Sequence, residues 1–461
     1  MAQKRGKRKN FLFILILVFI ALFGYFLNNL SIFEKNKPEI FVNDIVYSNL
    51  KNPILIRVKD DESGLKNIKI TLKKDSNDPG IILMDQKVNQ KNDITLEINL
   101  PKLAYKEKIK SYIMEIEAHD ASFWNFFSGN YIQKSVFIDI DDANPKLKVL
   151  SNSYQIEQGG VASVVFKVED KNLDQVYIQT DKGKIFKATP YIKDGYYASL
   201  IAWDAKDDYF RAYIIATDKA GNTTKERIRY YFVNRKYRVS NINLSDKFLD
   251  TKIKFLASAH MSEEDASKLN KTQKFKFVNE TLRLANENLI HKITSEVPEE
   301  SIEDFNLNLF LPLKNAMKVA DFADHRFYFY NGEFVSSGYH MGLDLASTAF
   351  APIISSNSGK VVFAEDNGIY GLNIIIYHGF GVYSLYGHCS SKNVDVNENV
   401  KQQDIIANTG SSGLALGDHL HFEVLVQGVE TRPEQWQDKI WLKNNIYKVL
   451  EDGKKMILSE K

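Results

Sequence analysis

The chain has 461 residues, 60 of them basic and 58 acidic, for a net charge of +2, and a single cysteine. That balance excludes the strongly basic field a nucleic-acid partner demands. The lone cysteine, Cys389, excludes any disulfide within the chain. At roughly 150 residues per domain, the length corresponds to about three domains.

Residues 1–10 read MAQKRGKRKN, with Lys4, Arg5, Lys7, Arg8 and Lys9. The run FLFILILVFIALFGYFL follows from Phe11 to Leu27 without a charge. About 17–25 apolar residues cross a bilayer, so the run predicts a single-pass transmembrane anchor over residues 11–27. The positive-inside rule keeps residues 1–10 in the cytoplasm as a basic tail and places the rest of the chain outside the cytoplasmic membrane. A cleaved signal peptide is the competing reading. It needs small residues at its cleavage site, and Gly24-Tyr-Phe-Leu-Asn28 offers a poor one.

From Pro38 onward the signals are strands. Pro53-Ile-Leu-Ile-Arg-Val58, Ile68-Lys-Ile-Thr-Leu72 and Ser111-Tyr-Ile-Met-Glu-Ile-Glu-Ala118 alternate or are rich in β-branched residues. Turn clusters such as Asn77-Asp-Pro-Gly80 separate them. The pattern then recurs. Asn144-Pro145 echoes Lys37-Pro38, Val165 to Asp170 echoes Ile56 to Asp60, and Ala212 to Asp218 echoes Tyr112 to Asp120. A period of roughly 100–110 residues is that of an immunoglobulin-like sandwich. Thr217-Asp-Lys-Ala-Gly-Asn222 resembles the strand-to-turn signature of bacterial immunoglobulin-like modules. Two tandem immunoglobulin-like β-sandwiches are therefore expected, at 38–142 and 143–236. Their plainer role is a spacer; the sharper one is binding of a partner or of the cell wall.

Residues 237–305 change character. Ser262-Glu-Glu-Asp265 offers a helix N-cap with acidic residues in the first turn. Phe275, Val278, Leu282, Ala285, Leu289 and Ile293 recur at three- and four-residue intervals, predicting an amphipathic helix over about 263–294 with a break. This helical connector either packs on a neighbouring domain or covers a site further along the chain.

Residues 306–440 read as an antiparallel β domain, so the whole is expected to be mainly β, with residues 441–461 as a tail. Strand signals include Leu372 to Tyr377, Val382 to Tyr386 and His421 to Val426, divided by Gly-rich turns. Five of the nine histidines fall here: His340, His378, His388, His419 and His421. Imidazole and carboxylate together suit zinc, and three protein ligands would leave a fourth position open for water, as in a catalytic site. On a strand, side chains two apart share a face, so His419 and His421 point the same way. Spacing alone does not say which of them binds metal. Cys389 follows His388 directly and reads either as a thiolate ligand or redox switch, or as a small packing residue.

At this point the chain is similar to a known family. Gly338-Tyr-His-Met-Gly-Leu-Asp-Leu-Ala346, Ala351-Pro352, Ser358-Gly-Lys-Val-Val362, Tyr383-Ser-Leu-Tyr-Gly-His388 and Gly417-Asp-His-Leu-His-Phe-Glu-Val424 resemble, in order and spacing, the lysostaphin-type (LytM-like) zinc metalloendopeptidases. The resemblance implies that His340, Asp344 and His421 hold one zinc ion, and that His388 and His419 stand beside the open position as catalytic residues. There is no HExxH helix, so a glutamate base of that kind is not expected. Glu423 shares a face with His421 and reads as a support or as a structural charge; His378 reads as a turn or support residue. The family's Phe-Gly-x-Arg block is replaced by Phe322-Ala-Asp-His-Arg326, which leaves Arg326 a weak candidate for substrate contact.

The family's substrate is peptidoglycan. The resemblance therefore implies a zinc-dependent peptidoglycan hydrolase of the cell wall; the apolar run at 11–27 would tether it to the cytoplasmic membrane, and the expected place of its catalytic domain is a Gram-negative periplasm. Such members are D,D-endopeptidases that cut the D-alanyl to meso-diaminopimelate crosslink during growth, separation or shaping of the cell. The alternative is a non-catalytic LytM-like regulator that activates a cell-wall amidase; such proteins typically lose metal ligands, which this chain keeps. No nucleic-acid partner is expected, and the sequence does not identify any protein regulator.

Overall fold

The structure is a computed structural model that describes residues 2–28, 31–101 and 109–460. The N-terminal segment is one helix, Ala2–Asn28. Among the described residues, no helix counts as long and apolar enough to cross a membrane. The chain divides into two compact units. The first comprises Met1–Pro145 with Asp170–Asp174 and Thr217–Thr223; the second comprises Lys146–Glu169, Gln175–Ala216 and Thr224–Lys461.

In the first unit, a five-stranded sheet runs Ile45–Ser48, Tyr131–Ile140, Ser111–Asp120, Leu65–Lys73, Ile81–Lys91. A three-stranded sheet runs Glu39–Phe41, Ile54–Lys59, Asp93–Ile98. Strict alternation makes this layering: Ser111–Asp120 buries every second residue. Ile56 and Val58 of the smaller sheet join Ile68, Ile70, Met114, Ile116, Val136 and Ile138 of the larger in one core with no exposed surface. Each such side chain contributes about 1.5–3 kcal/mol by leaving water.

The repeated motif also has a polar form. Asp120 accepts the backbone N–H of Asn130 at 2.7 Å and its side-chain amide at 2.8 Å. Asp218 accepts the same two donors from Asn222, both at 2.8 Å. Each Asn follows a glycine at positive φ, Gly129 at 84° and Gly221 at 85°. Only glycine enters that turn freely.

In the second unit, Lys146–Asn152, Val161–Glu169, Lys193–Ala202 and Thr189–Tyr191 form one four-stranded sheet. The sequence reads residues 441–461 only as a tail; helical turns run through Lys439–Leu442, Lys443–Tyr447 and Lys448–Ser459, and the last two pack on this sheet. Ser153 and Ser163 donate to the Asn445 carbonyl, and Tyr191 donates to that of Leu450 at 3.0 Å.

The connector starts earlier than the apolar periodicity indicated. Helical turns begin at Asp246 and continue to Thr294, interrupted near Met261 and Leu269. Ser262 caps the second segment by accepting from Asp265 N at 3.1 Å, as the sequence suggested. Asn270 and Gln273 form a full capping box at the next segment. Phe275, Val278, Leu282 and Ile290 are buried against Tyr328, Ile375, Tyr383 and Leu385 of the following sheets.

Those sheets carry the histidines. An eight-stranded antiparallel sheet runs Met317–Ala320, Leu343–Ala346, Leu420–Val426, Val382–Cys389, Leu372–Tyr377, Gly359–Asp366, Asn399–Val400, with Val429–Thr431 paired to Leu420–Val426. A three-stranded sheet places Asp324–Tyr330 between Glu333–His340 and Val239–Asn243; the last pairs in parallel, the one departure from antiparallel order in these two sheets.

Candidate metal centre

Strand register brings the singled-out residues together. Asp344 lies directly opposite His421 on the neighbouring strand, and His421 lies opposite Gly387 on its other side. His388 therefore follows one residue beyond that pairing, while His419 immediately precedes the strand Leu420–Val426. His340 ends its own strand, opposite Asp324.

Three ligand atoms converge. His340 Nε2 is 2.9 Å from Asp344 Oδ1 and 3.0 Å from His421 Nδ1, and His421 Nδ1 is 2.9 Å from the same Asp344 oxygen. The opposite nitrogens are occupied. His340 Nδ1 donates to the Asp321 carbonyl at 2.8 Å, and His421 Nε2 donates to Glu423 Oε1 at 2.8 Å. Each ring thus offers one lone pair inward. Two imidazoles, each neutral once a metal displaces the inward proton, and one carboxylate, buried together, make a donor set suited to zinc. Gly342 leaves the room they need: a Cβ there would sit 2.7 Å from the His421 ring and 2.8 Å from the Phe422 carbonyl.

The electrostatics favour positive charge at this position. Burial works against ionisation of Asp344, yet His340 and the neighbouring rings hold its carboxyl well below the usual value. Burial also opposes charge on His421, but Asp344 and Glu423 outweigh it and lift the imidazole to about 9. Burial pushes His340 down, with Asp344 opposing.

His388 and His419 form a second pair, with ring centres 4.9 Å apart. His388 Nδ1 donates to the Ser412 carbonyl and His419 Nδ1 to that of Gly417, each at 2.8 Å. Both Nε2 atoms are thereby free of the backbone, and His419 Nε2 lies 3.5 Å from Asp344 Oδ1. His388 sits at φ 61°, a strained conformation for a residue with a side chain. Burial, reinforced by the His421 and His419 rings, holds its imidazole well below the ordinary value.

The other candidates lie apart from this chemistry. His378 has both nitrogens engaged, with Ser358 O at 2.9 Å and Ser384 Oγ at 2.7 Å, and burial lowers it to about 4. Cys389 is 1% exposed, with its thiol pushed up to about 12 by burial, and it belongs to none of the convergent ligand groups among the described residues. That matches the packing reading and argues against the thiolate one. Arg326 shares a cavity of about 480 Å³ with His340, Asp344, His388, His419 and His421, and its Nε lies 3.1 Å from Asp324 Oδ2.

Sequence reasoning missed part of the wall. Arg238, Ser240, Phe248, Phe275 and Arg283 from the connector line the same cavity. Tyr370 packs edge-on against His421 at 5.5 Å. Of these, Phe275 alone carries a periodic signal, and the expectation that the connector could cover a later site gives no residues; Arg238, Ser240, Phe248, Arg283 and Tyr370 have no signal.

Comparison with known proteins follows the same residues. Residues 338–433 match the family described as Peptidase family M23. The DD-carboxypeptidase/endopeptidase Mpg of Neisseria meningitidis serogroup B is 34% identical over 94 residues, covering 20% of this chain and 22% of that protein. The peptidoglycan DD-endopeptidase ShyB of Vibrio cholerae is 35% identical over 88 residues, covering 19% and 21%. The murein hydrolase activator EnvC of Escherichia coli is 33% identical over 95 residues, covering 21% and 23%. The matched region thus spans little more than a fifth of each of these relatives.

Proposed function

We propose, from the premise that the chain carries a LytM-type peptidase domain of family M23 at residues 338–433, that it is a zinc-dependent endopeptidase of peptidoglycan crosslinks. The observation that carries this reading is the convergence of His340 Nε2, Asp344 Oδ1 and His421 Nδ1 beside a second pair of histidines. Relatives named as DD-endopeptidases support the substrate class. The D-alanyl to meso-diaminopimelate bond is the proposed target.

His340, Asp344 and His421 would hold the zinc ion, which when bound polarises a carbonyl and acidifies water. The chain's own part in the chemistry falls to the second pair. His388 Nε2, neutral because its ring is buried, accepts a proton from the attacking water; His419, in its imidazolium form with both nitrogens protonated, gives its Nε2 proton to the leaving amine. The Ser412 and Gly417 carbonyls accept from Nδ1–H of each ring and so leave Nε2 as the atom of each that exchanges a proton. The connector wall of the cavity limits water around them.

We further propose that the helix Ala2–Asn28 anchors the protein in the cytoplasmic membrane, with residues 38–142 and 143–236 as spacers on the periplasmic side. The charge-free run Phe11–Leu27 beside a basic cluster supports this.

Similarity to EnvC supports a second reading, a regulator that activates an amidase. One experiment separates the two. Purified full-length chain is incubated with crosslinked muropeptides, with and without chelator, beside His340→Ala. The enzyme reading expects metal-dependent loss of dimers by wild type alone. Dimers left equally intact by both proteins, with an added amidase stimulated instead, would establish the regulator.

A further inference from the structure

The proposed chemistry leaves one buried carboxylate unused. Glu423 has no exposed surface, and its Oε1 accepts from His421 Nε2 at 2.8 Å. Its other oxygen, Oε2, has no hydrogen-bond partner among the described residues. A carboxylate so enclosed costs several kcal/mol unless paired, and the expense is tolerated where the group does something. His421 is the one hydrogen-bond partner of this carboxylate among the described residues.

An imidazole can present either nitrogen, and its ring can turn. His421 must present Nδ1, the atom 2.9 Å from Asp344 Oδ1 and 3.0 Å from His340 Nε2. Strand geometry gives the means: Glu423 is two residues along the strand Leu420–Val426, so its side chain leaves the sheet on the same face. By taking the Nε2–H, it fixes both tautomer and ring angle. His340 is held differently, by a neutral peptide carbonyl at Asp321. A carboxylate does more than a carbonyl, because its charge makes the ring it holds a stronger donor.

We propose that Glu423 is a positioning residue that locks His421 as an Nδ1 ligand and so sets the zinc affinity of the site. This rests on the reading of His340, Asp344 and His421 as the zinc ligands. The alternative is a structural charge that serves folding alone.

The test uses metal-free full-length protein and zinc affinity measured by competition with a chromogenic chelator. Wild type, Glu423→Gln and Glu423→Leu are compared, with thermal unfolding of each metal-free protein alongside. The expected result is one zinc per wild-type chain, affinity about 10-fold weaker for Glu423→Gln and about 100-fold weaker for Glu423→Leu. Metal-free unfolding temperatures separate a loss of zinc affinity from any loss of folding caused by breaking the buried His421–Glu423 pair. Glu423→Gln keeps the shape and an acceptor oxygen, so it tests the role even if Glu423→Leu misfolds. Variants that bind zinc within threefold of wild type overturn the proposal, whatever their stability. A wild type that binds no zinc overturns the ligand assignment itself, and this proposal falls with it.

Discussion

His340 Nε2 and His421 Nδ1 stand 3.0 Å apart, with Asp344 Oδ1 2.9 Å from each. Three donors this close, with the opposite nitrogens tied to Asp321 and Glu423, are arranged for a cation rather than for one another. Zinc should therefore stabilise the folded chain. At free zinc about 1,000 times the dissociation constant the gain is about 4 kcal/mol. Thermal unfolding of chelator-stripped protein across a zinc titration measures it. Asp344→Ala should abolish the response; an equal response in that variant would place the ion elsewhere.

His388 and His419 should matter for rate and not for metal content, since the converging ligand group is His340, Asp344 and His421, with His419 Nε2 further off at 3.5 Å from Asp344 Oδ1. Replacing either by alanine is expected to lower kcat on crosslinked muropeptides by about 10²- to 10⁴-fold. Zinc per chain, read by metal analysis after dialysis, should stay at the wild-type value. A variant that loses its zinc would show the residue to be a ligand.

Much of this centre was legible before the fold was known, because its ligands sit in short motifs. Period-two geometry put His419 and His421 on one face, and the resemblance distinguished ligand from partner. What tied them down was not legible. The carbonyls of Asp321, Ser412 and Gly417 hold three rings, and a backbone carbonyl has no sequence signal. The connector illustrates the same limit. Its apolar spacing from Phe275 to Ile293 was readable, but the turns from Asp246 to His260 bury Leu249, Ile253, Leu256 and Ala257 in one cluster with Ile369 and Tyr370, more than a hundred residues on, beyond any local pattern.

Ala323 gives a prediction of the opposite kind. It has φ 58°, is 1% exposed, and stands next to Phe322 where the similar family carries glycine. The left-handed conformation costs a residue with a Cβ about 1–2 kcal/mol, and glycine loses about 0.4–1 kcal/mol through its freer unfolded chain. Ala323→Gly should therefore stabilise the protein by roughly 0.5–1 kcal/mol. Denaturant unfolding decides it; a loss of stability would mean the methyl's packing outweighs the strain.

The buried pair His291 and Glu430, 2.6 Å apart, sets a pH dependence away from the metal ligands. Burial disfavours charge on His291, but the Glu430 carboxylate more than offsets it, so the imidazole is raised above its ordinary value. Burial opposes ionisation of Glu430, and His291 reverses that, lowering its carboxyl. The histidine's contribution is complete below about pH 6.5 and fades as pH rises through its raised folded value; the glutamate's is present above about pH 4.3 and fades as pH falls through its lowered one. His291→Gln should cost about 2 kcal/mol near pH 5.5, less than the ~3–5 kcal/mol of a fully enclosed pair because its side chain is 33% exposed. The deficit should narrow at higher pH. Unfolding curves of both proteins from pH 5 to 9 give the comparison, and a deficit that grows with pH would refute the assignment.

Gly342 tests whether the metal centre tolerates any crowding. It lies between His340 and Asp344, and a Cβ there would meet His421 Cε1 and Nε2 at 2.7 Å and the Phe422 carbonyl oxygen at 2.8 Å. The carbonyl belongs to a central strand and cannot retreat, so the ring must. Turning it breaks the bond to Glu423 and carries Nδ1 away from Asp344. Gly342→Ala should therefore weaken zinc binding by at least about 10-fold, the scale seen when a ligand loses its supporting partner. Its stability should fall by about 1–3 kcal/mol, as for other overpacked interior positions. Chelator competition and denaturant unfolding on one preparation read both quantities. Unchanged zinc affinity together with lost stability would mean that the strand shifts to make room while the His421 ring holds its place.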